Sequence, residues 1–199
     1  NCRDADTESL VSGFSGVQYM GSDNAGFAKA NNRAIKETSG EFVLVLNPDT
    51  ELLPGSLERG GGFMRQHADV GVLGFRLLME GGKIDLACRR RFPDPFVSFK
   101  RLFLHSNTDY NYSNLPEDVS MEVGCVVGAF MLVRRSDITR VGLFDETFFM
   151  YGEDIDWCWR FKEAGYKVWY LGTEVARHYK RQSSKKEPLL TLRAFRDAM

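Results

Sequence analysis

No stretch of this 199-residue chain approaches eighteen consecutive apolar residues, which excludes a membrane-spanning helix of ordinary length. Nor does it show the charged, apolar and cleavage regions of a secretory signal, so the expected setting is cytoplasmic. Among Cys2, Cys88, Cys125 and Cys158 there is no C-x-x-C pair, which argues against a zinc ribbon or a compact disulfide scaffold. They read as reduced thiols, with Cys125 and Cys158 acting as small core residues. Net charge is lacking too: 26 Lys and Arg against 27 Asp and Glu leave −1, so nothing global recommends a nucleic-acid partner. Internal repeats and low-complexity linkers are absent.

What is present suffices for one good core. With 43% hydrophobic and 13% aromatic residues, positions 1–199 read as a single globular domain. Asn1 is not a start methionine and Met199 closes the chain inside an expected helix, so a piece of a longer polypeptide is anticipated. Periodicity predicts a helix over Thr7–Phe14, a short strand at Val17–Met20, and a loop and helix over Asn24–Thr38. A strand Glu41–Leu46 and a helix from Pro54, taken as its first residue, to His67 follow. Gly60-Gly61-Gly62 in that helix has no explanation in sequence terms. Strands are expected at Val70–Phe75 and Leu77–Met79, then a long polar and aromatic excursion over Arg89–Asn114. Val123–Arg134 reads as a strand pair or one bulged strand, and Lys167–Leu171 as the last strand. Strands alternating with helices predict an α/β fold with a mostly parallel, Rossmann-like sheet flanked by helices.

Two acidic features stand out. The stretch Phe148–Gly165 places Glu153, Asp154 and Asp156 at the mouth of an amphipathic helix, in its first turn, with an apolar stripe at Ile155, Cys158, Trp159 and Lys162 and a C-cap at Ala164-Gly165. Such acids either complement the helix dipole or carry chemistry. The second feature is Asn47-Pro48-Asp49-Thr50, which ends the apolar run EFVLVL. It is either a turn in which Asp49 bonds its own backbone, or the carboxyl end of a buried strand, where α/β sheets bind ligands. In the second case Asp49 is suited to share Mg2+ or Mn2+ with a substrate phosphate.

These stretches fall into an order that resembles the family 2 inverting glycosyltransferases of the GT-A fold, particularly bacterial rhamnosyltransferase-like members. The likeness covers most of the chain. Asn24-Ala25-Gly26-Phe27-Ala28-Lys29-Ala30-Asn31 resembles the family's N-x-G-F-A-x-A-x-N loop, and Asn47-Pro48-Asp49-Thr50 its variant of the D-x-D motif. Gly128-Ala129-Phe130-Met131-Leu132 is similar to its acceptor-side segment. Phe144-Asp145-Glu146 with Glu153-Asp154 resembles its base motif, and His178 with Ser183-Ser184 its H-x-x-G-x-S.

The resemblance implies transfer of a sugar from a nucleoside-diphosphate donor to a saccharide or lipid-linked acceptor in surface polysaccharide synthesis, with inversion and with a divalent cation, Mn2+ or Mg2+. In that frame Asp154 is the general base, Glu153 and Asp156 orient it or the acceptor, and Asp49 with His178 hold the cation. Donor contacts fall to Asn24, Gly26, Phe27, Lys29, Asn31, Asn47 and Asp49, the Gly26 loop being read either as a plain turn or as a phosphate cradle. Acceptor contacts fall to Gly128, Ala129, Phe130, Trp157 and Arg89, with Trp157 preferred to Trp159 as the sugar-facing ring; the run Arg89-Arg90-Arg91 that opens the excursion is either a solvated charge run or a contact to an acceptor phosphate. The family's first strands would precede Asn1, and Lys180-Arg181-Gln182 replaces its expected glycine. From Arg177 onward seven basic residues face two acidic ones, and Pro188–Met199 is basic and amphipathic. It either packs on its own domain or lies on the inner face of a membrane. The alternatives are a non-catalytic nucleotide-sugar-binding fragment and a nucleotidyltransferase.

Overall fold

A computed structural model describes residues 5–92 and 110–179. The interior of the Arg89–Asn114 excursion, Ser183-Ser184 and the basic segment Pro188–Met199 lie outside the described residues. In chain order the elements are α1 (Ala5–Ser12), α2 (Phe27–Glu37), β1 (Phe42–Leu46), β2 (Thr50–Leu52), α3 (Ser56–Gln66) and β3 (Val70–Leu78). A 3-10 turn (Leu86–Cys88), β4 (Met121–Glu122), β5 (Phe130–Arg134), α4 (Arg135–Val141), α5 (Glu153–Glu163) and β6 (Lys167–His178) complete them.

One sheet organises the molecule, in the order β1-β5-β3-β6-β2, with β4 also on β6. The α/β reading holds, but the mostly parallel expectation does not. Among the described residues only β3 and β6 pair in parallel, whereas β1–β5, β3–β5, β2–β6 and β4–β6 are antiparallel. The reason is connectivity. A parallel neighbour needs a crossover connection, and here β2 leaves β1 through a tight turn closed by Thr50 N–H on Asn47 O. Strand β3 sits in the middle and is buried along almost its whole length, and the strands expected at Val70–Phe75 and Leu77–Met79 are one, which ends at Leu78. A register shift at Phe75/Arg76 absorbs the arginine that interrupts the apolar run.

Residues Val17–Met20 form no strand, and Val17 is exposed. The first turn of α3 is at Ser56 rather than Pro54, because a turn closed by Ser56 N–H on Leu53 O precedes it and Gly55, at φ 76°, caps it. Helix α4 was not anticipated; it is short and polar and stops at Gly142 (φ 91°). The triple glycine now has a partial account. A Cβ on Gly60 would lie 2.8 Å from Phe75 Cζ, whose ring stacks on Phe130 at 4.1 Å, so glycine lets α3 settle on the sheet. A Cβ on Gly62 meets nothing within 4 Å, and the structure offers no reason for glycine there.

Candidate active site

Helix α5 forms where its sequence predicts, and its end is a Schellman motif. Tyr166 N–H reaches Phe161 O at 3.0 Å, Gly165 N–H reaches Lys162 O at 2.9 Å, and Gly165 has φ 88°. The buried face is displaced by one residue from the expected stripe. Asp154, Trp157, Cys158 and Phe161 point inward at i, i+3, i+4 and i+7, while Trp159 is 51% exposed and meets Phe92 edge-on at 5.2 Å. This corrects two readings. Trp157 is fully buried, with its indole N–H on Gly142 O at 2.9 Å, and cannot face a sugar. Trp159 is the solvent-side ring.

The same rotation buries Asp154. Its Oδ2 accepts from Arg90 Nη2 at 2.7 Å and from the Gly128 N–H at 3.2 Å, and its Oδ1 accepts from the Ile155 N–H at 2.8 Å. The ion pair is nearly sealed, with side chains 12% and 10% exposed. A carboxylate offers about four acceptor positions, so one on Oδ1 remains for a ligand. Within the run Arg89-Arg90-Arg91 the sequence puts no more weight on Arg90 than on its neighbours, and the expected contact is Arg89. Arg89 turns instead to the carbonyls of Pro116 (2.8 Å) and Leu115 (2.9 Å) and lies over the Tyr170 ring, a buried pin and not an acceptor contact. The two point to opposite duties because successive side chains in extended backbone alternate in direction.

Glu153 is buried beside Asp154. Desolvation, and then the neighbouring Asp154 charge, push its carboxyl up to about 7, and its Oε2 finds no hydrogen-bond partner among the described residues. Asp156 is engaged by Arg160 at 2.8 Å, one turn on.

At the sheet's edge the chain crosses from β1 to β2 through Asn47-Pro48-Asp49. Asn47 N–H donates to Ala129 O at 3.1 Å, Thr50 N–H closes the turn on Asn47 O, and Tyr179 N–H donates to Asp49 O at 2.8 Å. These bonds seat Asp49 against the end of β6, where its Oδ1 is 3.4 Å from His178 Nε2. That oxygen is buried and makes no hydrogen bond among the described residues. His178 Nδ1 lies 3.0 Å from Asp85 Oδ2. The structure therefore brings Asp49 and His178 together, as expected, and adds Asp85. Among the described residues no cluster of three or more His, Cys, Asp or Glu could enclose a metal alone. One oxygen and one imidazole nitrogen do fit a cation that completes its shell with water and phosphate.

The Gly26 loop packs rather than gapes. Gly26 has φ 93°, its N–H lies 3.3 Å from Asn24 Oδ1, and the Phe27 N–H at the start of α2 is taken by Phe149 O at 2.7 Å. A Cβ on Gly26 would sit 2.5 Å from that same carbonyl oxygen, which is sufficient reason for glycine. Lys29 is exposed, and Asn31 bonds back to Phe27 O at 2.9 Å. The neighbouring Asn32, which fills the ninth place of the N-x-G-F-A-x-A-x-N pattern although the expected donor contacts stop at Asn31, ties α2 to Phe144 and Glu146 just before α5. Gly128 contacts Asp154 through its backbone and Ala129 contacts Asn47, but the Phe130 side chain is in the core against Phe75, which corrects its acceptor assignment.

Residues 3–142 match the family described as Glycosyl transferase family 2. The chain is 30% identical over 193 residues to N-acetylglucosaminyl-diphospho-decaprenol L-rhamnosyltransferase of Mycobacterium tuberculosis, across 86% of this chain and 61% of that one. It is 30% identical over 181 residues to rhamnosyltransferase WbbL of Escherichia coli K12, across 83% and 65%. The chain thus spans under two thirds of the length of these relatives. Among solved structures, GalNAc-T7 with UDP, GalNAc and Mn2+ superposes with a TM-score of 0.63 at 11% identity, over 89% of this chain and 35% of that one.

Proposed function

The chain belongs to glycosyl transferase family 2 and has its GT-A type α/β fold, and we propose that it carries the catalytic part of a metal-dependent, inverting glycosyltransferase. Its donor is a nucleoside-diphosphate sugar and its acceptor a saccharide, carried on a lipid diphosphate as the mycobacterial relative's name describes. One observation carries the reading. The Asp49–His178 pair and the Arg90–Asp154 pair are joined by two backbone contacts, Asn47 on Ala129 and Gly128 on Asp154. A cation-and-diphosphate end and a proton-accepting end are thereby built into one rigid seam. Two functions on one sheet edge are what sugar transfer needs.

In this reading the free position on Asp154 Oδ1 accepts the proton of the acceptor hydroxyl as that oxygen forms its bond to the anomeric carbon. The bond from that carbon to the diphosphate oxygen breaks on the opposite face, with inversion. Arg90 and the Gly128 N–H hold the carboxylate in place and oppose its charge. Asp49 and His178 would hold the cation, which when bound supplies positive charge to the departing diphosphate. Glu153, close by and readily protonated, orients the acceptor. Because the acceptor is a lipid-linked saccharide, the reaction runs at a membrane surface, consistent with a peripheral, cytoplasmic-side location. Membership of this family puts sugar transfer ahead of nucleotidyl transfer.

Calorimetric titration of UDP, dTDP and GDP, each with and without Mn2+, tests the reading in wild type, Asp49→Ala and Asp154→Asn. One nucleotide should bind wild type and Asp154→Asn in a Mn2+-dependent way, and Asp49→Ala should lose that dependence. Donor cleavage should survive in neither variant. Equal affinity with and without Mn2+, or full turnover by Asp154→Asn, would refute it.

A further inference from the structure

We infer that Asp85 is a positioning residue that fixes the tautomer and direction of His178 so that its Nε2 lone pair faces Asp49 and a divalent cation. The inference rests on the metal-dependent reading above and adds a residue that no motif marks. Asp85 sits just after the turn that follows β3, where Met79 N–H bonds Lys83 O and Gly82 N–H bonds Met79 O, and its own N–H bonds Leu77 O at 2.8 Å. Its side chain is 2% exposed and divides its work. Oδ1 accepts from the Ala87 N–H at 3.0 Å, capping the 3-10 turn, and Oδ2 faces His178 Nδ1 at 3.0 Å. His178 is 5% exposed, and its backbone is clamped in the sheet opposite Thr50.

Donor counting gives the sense of this geometry for a neutral ring. An ionised carboxylate can only accept, so the hydrogen on the neutral imidazole belongs on Nδ1. Nε2 is then left with a lone pair, aimed at a buried Asp49 oxygen that has no hydrogen-bond partner among the described residues. Two lone pairs directed at one another from 3.4 Å are unfavourable unless something positive lies between them. Without Asp85 the other tautomer becomes available, and Nε2–H would donate to Asp49, consuming both positions at once. Histidines that bind metals are commonly held through their other nitrogen by a carboxylate in this way.

The test pairs a spectrum with a binding constant. Long-range 1H–15N correlation of 15N-histidine-labelled, metal-free protein at about pH 8 should show His178 protonated on Nδ1 in wild type. Asp85→Ala should shift the proton to Nε2, and Asp85→Asn, whose amide oxygen still accepts, should retain the wild-type tautomer. Electron paramagnetic titration of Mn2+ should show affinity falling by about 10- to 100-fold in Asp85→Ala, with recovery of part of the loss in Asp85→Asn. Wild-type tautomer and affinity in Asp85→Ala would overturn this inference alone. A wild-type protein indifferent to Mn2+ would overturn the metal reading, and this inference with it.

Discussion

Replacing Glu153 with glutamine should make the protein more stable, and only above mildly acidic pH. The unfolded chain exposes an ordinary glutamate near 4.5, whereas in the fold burial and the Asp154 charge raise the carboxyl to about 7. The native state therefore binds the proton more tightly. Stability from this group is complete below the unfolded value, falls as pH rises through the interval, and is lost above about 7. At about 1.4 kcal/mol for each pH unit, the loss is on the order of 3 kcal/mol. Glutamine has the same shape and no charge to desolvate, so the variant should match wild type near pH 4.5 and exceed it by roughly 3 kcal/mol near pH 8. For a chain of this size that is about 6 to 12 °C in Tm. Urea unfolding of both proteins across that range isolates the effect, because the titrations they share cancel in the difference. A difference that does not change with pH, or a glutamine variant less stable throughout, would refute the assigned electrostatics.

The glycines of α3 make a paired prediction. Gly60→Ala should destabilise by about 1 kcal/mol net, since pushing the Phe75 ring costs roughly 1 to 3 kcal/mol and the gain in helix propensity returns about 1. Gly62→Ala, with open space around it, should stabilise by about 1 kcal/mol, and equal stabilisation by both in denaturant titrations would contradict the packing argument. Arg90→Met should cost about 3 kcal/mol by leaving Asp154 buried and unpaired. The double variant with Asp154→Asn should lose less than the two single losses combined, by roughly 1 to 3 kcal/mol, and strict additivity in the cycle would show that the pair does not couple.

Local signals proved legible wherever the cause was local. The ends of α5, with acids in its first turn and Ala164-Gly165 at its close, follow from capping chemistry that neighbouring residues settle among themselves. So does the run EFVLVL breaking at Asn47-Pro48, which located Asp49 at a strand end. The facing of α5 was less secure. Trp159 and Ile155 offered as good a stripe as Trp157 and Phe161, and the helix took the second because Trp157 finds Phe144 and Gly142 O and Phe161 finds Tyr166.

By itself the sequence determined the α/β class, the order of most elements and the family, because apolar periodicity, caps and ordered motifs are properties of short stretches of chain. Only the tertiary structure decided which acids acquire partners. Arg90 meets Asp154 from 64 positions away, and Asp85 meets His178 from 93. It also decided that β5 runs antiparallel to both its neighbours, and that Arg90, not Arg89, meets Asp154. Such choices depend on which side chains fill the space between packed elements. That is a property of the assembled sheet rather than of any window along the chain.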